Sequence, residues 1–191
     1  MARLFLRTIL FFLVLGASLP LRSSGAETPQ VPPVSPQSPA SLEFTRRVEE
    51  YVKLQKTMPR LRTTKDPKEI IERRNALAQK IQEARSKAQP GDMFTPDITE
   101  ELRSVIRSTF QGSNARAVRK TIRQGEPLRG WQLTVNGIYP EHLPLTTVPP
   151  TLLLRLPRLP SEVAYRIIGH DLVLEDSEAR LVLDFILAII P

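Results

Sequence analysis

Arg116, Arg119, Lys120 and Arg123 form the sharpest concentration of charge in this 191-residue chain, because no acid lies between Asn114 and Gln124. On a helix, spacings of three and four would gather these cations on neighbouring faces. Such a patch attracts anions by charge rather than by shape, so anionic lipid, a cell-wall polymer or nucleic acid could bind there. The aromatic side chains that would stack bases are missing from this stretch, which argues against nucleic acid. The plainer reading of the same four residues is a solvated helix face that aids solubility.

The other chemistry-bearing residues are sparse. The chain has no cysteine, which removes disulfides, thiol nucleophiles and cysteine-ligated zinc or iron–sulfur sites. Its two histidines, His142 and His170, make a poor nickel or zinc site. His170 with Asp171, Glu175 and Asp176 could at most form a weak carboxylate-rich site for a hard cation. A histidine in a hairpin turn flanked by solvated acids explains the same residues, so no metal ligand is assigned. The nucleophile elbow G-x-S-x-G of serine hydrolases is absent from the sequence. A glycosidase or lytic transglycosylase needs carboxylates fixed in a cleft, and Glu49-Glu50 or Glu100-Glu101 could be nominated only arbitrarily, since adjacent acids on a helix point to different faces. No catalytic residue and no cofactor is assigned on these grounds.

The elements that would position these residues begin with helices. Phe44, Val48, Tyr51 and Val52 recur at helical spacing from about Ser41 to Lys56. Asp66 as N-cap, Pro67 at the first helical position and Glu69 completing a capping box start a second helix. Its apolar face is Ile70, Leu77, Ile81, Ala84 and Ala88, and Pro90-Gly91 stops it. Thr95-Pro96 opens a third, with Ile98, Leu102, Val105, Ile106 and Phe110 on one side. Ala115, Val118 and Ile122 mark a short fourth helix ending near Gly125, and this one would carry the four cations.

From Trp131 the period changes to two. Trp131, Leu133 and Val135 alternate with polar residues before Asn136-Gly137, a turn that could join two short strands or end one. Pro140, Pro144, Pro149, Pro150, Pro157 and Pro160 then leave room for a single helical turn around Leu152 to Leu156. The closing stretch reads as a three-stranded meander: Val163 to Ile168, Asp171 to Glu175 and Arg180 to Ile186, with Gly169-His170 and Asp176-Ser177-Glu178 as turns. Tyr165, Ile167, Leu172, Leu174, Leu181, Leu183 and Phe185 give each strand an apolar side. A helix from Ser177 to Ile189 also fits the spacing, but the alternation around Asp184 favours a strand.

At the other end, Arg3 and Arg7 precede an apolar run from Thr8 to Leu19, closed by Pro20 and Arg22. The run is shorter than the ~20 residues a membrane-spanning helix needs, and Ser24-Gly25-Ala26 offers a small-x-small cleavage site. Residues 1–26 are therefore read as an export signal cut between Ala26 and Glu27, with an uncleaved anchor as the alternative. Without a cysteine at the cleavage point, lipoprotein maturation is excluded. Residues 27–40, rich in Pro, Gln, Ser and Val, read as a disordered polyproline-like linker. The net charge of +7 is partly the signal's: residues 41–125 hold 19 Lys and Arg against 11 Asp and Glu, and residues 126–191 hold 5 against 8. Basic character thus belongs to the helical half.

The run Pro150 to Pro160 (PTLLLRLPRLP), with Tyr165-Arg166, Gly169, Asp171 to Leu174, Asp176 and Leu181 to Ile186, resembles the C-terminal module of small exported bacterial proteins. These are grouped as the RcnB/CigR-like family, named for a periplasmic factor in nickel and cobalt homeostasis and an anti-virulence protein. The likeness covers roughly the last 60 to 70 residues and not the helices. It implies a periplasmic location, a small β-rich C-terminal module and a non-enzymatic, modulatory or interaction role. No catalytic residue comes with it. The chain departs from that pattern at Glu178-Ala179-Arg180, where the family usually places a Thr-Gly turn before the last strand.

The expectation is an α+β protein: three or four helices over 41–125, then a Pro-rich segment and a small antiparallel meander over 126–191, packed with the helices as one domain. It is expected in the periplasm or secreted, without cofactor, binding envelope proteins or the anionic cell surface and not nucleic acid. A cell-envelope hydrolase with an unrecognised carboxylate site, or a weakly metal-responsive periplasmic protein, are the alternatives.

Overall fold

A computed structural model describes residues 38–58, 64–111, 115, 116, 119, 132–140 and 147–191. The segment read as an export signal, with Ala26 and Glu27, most of the stretch read as a linker, Lys120, Arg123, Trp131 and His142 lie outside the described residues. Helix α1 (Pro39–Lys56) starts within the stretch assigned to the linker. Pro39 stands at the first helical position and the Ser38 hydroxyl accepts from Ser41 N at 3.0 Å, so the local signals for a helix start outweigh the proline-rich context. The same hydroxyl donates to Glu101 at 2.9 Å, tying the start of α1 to helix α3 (Pro96–Gln111).

Helix α2 (Pro67–Ala84) begins at the expected cap, with Asp66 accepting from Lys68 N. The capping box does not close. Glu69 instead accepts from the Thr64 hydroxyl at 2.5 Å and pairs with Arg73. Only Leu77, Ala78 and Ile81 of α2 are buried, so its first half stands off the core. In α3 all five apolar positions read from the sequence are buried.

The C-terminal region contains a single turn of helix, α4 (Pro150–Leu153), and strands β1 (Val163–Ile168), β2 (Asp171–Asp176) and β3 (Leu181–Ile186), paired antiparallel in the order β1-β2-β3. This is an α+β fold with an open meander. Gly169, at φ +59, takes the left-handed backbone that the tight β1–β2 turn requires. One sheet face presents Val163, Tyr165, Ile167, Leu172, Leu174, Leu181, Leu183 and Ile186 to the helices, in one continuous core with Phe44, Val48, Ile81, Ile98, Leu102 and Ile106. Phe44 links the layers, stacked on Phe94 at 5.6 Å and on Tyr165 at 6.4 Å. Each such buried aliphatic or aromatic side chain contributes roughly 1.5–3 kcal/mol.

Alternation alone places Phe185 on the core side. It lies instead with Tyr139, Ile168, Val173 and Val182 on the opposite face. The cause is a bulge: Leu174 pairs with Asp184 while the next residue, Glu175, pairs with Val182, leaving Leu183 as the extra residue. A bulge shifts the alternation by one, which turns Asp184 inward and Phe185 outward.

No strand forms in the described part of the Trp131–Val135 stretch. Val135 and Asn136 make a turn, with Asn136 at φ +61, and the chain then runs along the outer edge of β3. Asn136 N donates to Val182 O, Val182 N to Gly137 O and Tyr139 N to Arg180 O, at 2.7–2.9 Å. On the other side of the sheet, Thr147 bridges Arg166 of β1. Both sheet edges are thus paired with irregular chain.

Candidate functional site

The end of α3 is where the predicted cations meet the fold. Ala115, Arg116 and Arg119 are helical, and both arginines are exposed. Arg119 donates to Phe110 O at 3.0 Å, and its guanidinium lies 5.8 Å from the Phe110 ring centre. One residue earlier, Arg155 from the end of α4 donates to the Thr109 hydroxyl at 2.6 Å. A helix C-terminus carries partial negative charge, so two guanidinium groups on the last turn of α3 complement it. Desolvation holds the Arg155 pKa below its ordinary value. The partners Phe110 and Thr109 were not foreseen, because nothing local links a cation to an apolar face completed in another helix.

Glu175 and Asp176, read as solvated turn acids, are in fact buried. Asp176 accepts from the Tyr51 hydroxyl at 2.6 Å and from the backbone of Glu178 and Ala179 at 2.9 and 2.6 Å. It closes the β2–β3 turn and fastens it to α1, where Gln55 adds a bond to Glu178 at 3.0 Å. Glu175, on the opposite sheet face, pairs with Arg166 at 2.6 Å and Arg180 at 3.8 Å. Arg180 also covers the Tyr139 ring at 4.8 Å. Burial pushes both carboxyls above their usual range, against the lowering effect of Tyr51 on Asp176 and of Arg166 on Glu175. Burial, with Asp176 beside it, pushes the Tyr51 phenol far up, so this hydroxyl remains a donor.

Asp184 is the third buried acid, and sequence alternation did not predict its role. Its carboxylate accepts from Gly91, Met93 and Phe94 N at 2.8–3.1 Å, and from its own neighbour Phe185 N. Among the described residues its donors are backbone N–H groups, and they hold the loop that leads into α3.

His170 is exposed, with Nδ1 2.8 Å from Ile190 O, while Asp171 accepts from Ala188 N at 2.8 Å. These bonds fold the tail back so that Ile189 and Ile190 enter the core. Among the described residues no group of three or more histidines or acids is placed to hold a metal ion. The nominated acid pairs do not converge either: Glu49 and Glu100 are exposed, Glu50 pairs with Arg46, and Glu101 is bound to Ser38.

Between α1 and the turn after α2 lies an open cleft of about 280 Å³, lined by Arg47, Glu50, Tyr51, Leu54, Arg85, Asp92 and Met93. Arg85 in its wall lies 5.3 Å over the Tyr51 ring, donating to Asn136 at 2.9 Å and to Leu183 O at 3.1 Å. Desolvation lowers its pKa. With both terminal nitrogens committed to the fold, Arg85 acts as a bracket between α2, the 132–140 segment and β3. The Asn-Gly turn signal marked Asn136 but not this partner.

No protein-family model, curated protein or solved structure matches the chain.

Proposed function

We propose that this protein is exported to the bacterial envelope, periplasmic or secreted, and acts there by binding rather than by catalysis. Its partners are envelope proteins or the anionic cell surface, with Arg116, Arg119, Lys120 and Arg123 as the anion-facing residues. The division of charge carries this reading. Glu175, Asp176 and Asp184 are consumed in holding the sheet and its turns, whereas Arg116 and Arg119 face solvent. The likeness of the C-terminal residues to the RcnB/CigR-like family supports the same modulatory role.

Replacing Arg116, Arg119, Lys120 and Arg123 together by Gln tests it. Association with envelope fractions at low ionic strength should weaken at least about tenfold, since each cation near an anionic surface contributes about 1 kcal/mol. Unchanged association would remove the electrostatic surface from the reading, leaving protein partners to be identified by crosslinking in the native envelope and mass spectrometry. A purified chain that cleaves peptidoglycan or a generic ester, and loses this on mutation of one carboxylate, would replace binding by hydrolysis.

A further inference from the structure

The turn that contains α4 presents two leucines to solvent beside the cations at the end of α3. Leu154 is 84% exposed and Leu153 48%, while Leu152 and Leu156 on either side are buried. Helical spacing explains the split: Leu152 and Leu156, four apart, seat the turn in the core, so Leu153 and Leu154 between them face outward. The turn is stiff. Leu152 and Leu153 N donate to Pro149 O, Leu154 N to Pro150 O, Arg155 N to Leu152 O and Leu156 N to Leu153 O, all at 2.9–3.2 Å. Entry of this tip into an apolar phase would therefore leave these backbone donors paired, which is the condition lipid imposes.

Charge selects the partner. No acid stands between Glu141 and Glu162, and Arg155 and Arg158 follow the leucines directly. Arg155 and Arg119 dock on Thr109 and Phe110, so the Leu153–Leu154 tip shares one end of α3 with the exposed Arg119. Exposed apolar side chains in an acid-free stretch, with arginines at the same end of α3, match a bilayer interface with anionic headgroups and not a purely polar polymer.

We propose that Leu153 and Leu154 insert into the interface of an anionic phospholipid bilayer, with Arg116, Arg119, Arg155 and Arg158 against its headgroups. The inference rests on the reading of an anionic surface as partner and names that surface as lipid.

Because the chain has no cysteine, Leu154→Cys provides a unique attachment point for an environment-sensitive fluorophore, and its exposure keeps the change out of the core. The labelled full chain is mixed with vesicles of phosphatidylglycerol and phosphatidylcholine, or of phosphatidylcholine alone. A Gln79→Cys label on the exposed side of α2 serves as the aqueous control. The expected result is a blue shift at position 154 with anionic vesicles, quenched by lipid-borne quencher, and neither effect at position 79. Leu153→Gln with Leu154→Gln should lower the partition coefficient at least about tenfold. A chain that binds anionic vesicles while the 154 label stays aqueous overturns the insertion and leaves the surface reading intact. A chain that does not bind them overturns lipid as the partner, and the envelope-fraction assay with the Gln variant decides separately whether an anionic surface of another kind remains. Insertion that survives substitution of Arg116, Arg119, Lys120 and Arg123 supports the lipid tip and refutes the basic cluster as the anchor.

Discussion

In α1, Glu43 meets Arg46 and Arg47 at the surface, within one turn of helix, whereas in β3 Asp184 has no exposure and binds a loop 90 to 93 positions earlier. The first arrangement is local and screened by water. The second joins distant parts of the chain and cannot be lost without leaving buried donors unpaired. Charge is used differently in the two regions: acids are drawn inward by the sheet as fasteners, whereas no described base of the helical half is fully buried.

The severest way to break the contrast is Asp184→Ala. Three backbone N–H groups of the loop before α3 lose their acceptor, and the expected loss is about 4 kcal/mol in urea unfolding. Asp184→Asn, which keeps an acceptor oxygen, should cost less. If both variants unfold like the parent, the carboxylate is no fastener.

A smaller effect separates backbone from side chain at Arg180, which sits at φ +52. Arg180→Ala keeps that strained backbone and loses the contacts with Glu175 and Tyr139, at a cost of about 2–3 kcal/mol. Arg180→Gly loses the same contacts but relaxes the backbone, so it should be the more stable of the two by about 1 kcal/mol. The reverse order in thermal melts would show that the left-handed position is not costly here.

The smallest effect is one of pH, and its sign differs between the two regions. Folding raises the Glu175 and Asp176 pKa values, so the folded state holds protons that the unfolded chain has released. Their contribution is greatest below the ordinary carboxylate range and declines as pH rises through the raised values. Glu43 runs the other way. Its guanidinium partners hold it down to about 2, so its contribution is present above the ordinary value of 4.5 and fades as pH falls from there towards 2. Hydrogen exchange from pH 7 to 5 should therefore show rising protection in the β2–β3 hairpin relative to α1, and Glu175→Gln should flatten that rise.

Much of the fold is written in short-range signals. The meander followed from period-two alternation with Gly169 and Asp176 at its turns, and α3 from five apolar residues after Thr95-Pro96. What escaped depends on pairs far apart in the chain. The burial of Asp176 needs Tyr51, 125 positions earlier, and the inward turn of Asp184 needs a bulge that alternation cannot reveal. The stretch before Asn136 alternates like a strand, yet it turns and then lines β3, because pairing follows the register of Val182 and Arg180. In the candidate site the exposed Arg116 and Arg119 were legible as charge, while the leucine tip beside them was hidden in a proline-rich run that looked merely irregular.

The irregular segments beside β1 and β3 have one more consequence. A three-stranded sheet offers two places where a second copy could add a strand and start an aggregate, and this chain occupies both with itself. Release of the 136–139 segment would uncover the β3 side. Gly137 guards it, because a Cβ there would meet the Thr134 hydroxyl at 2.7 Å and force the segment away. A methyl group at that position would convert a local packing fault into a sticky edge, and colloidal behaviour would suffer before the core did.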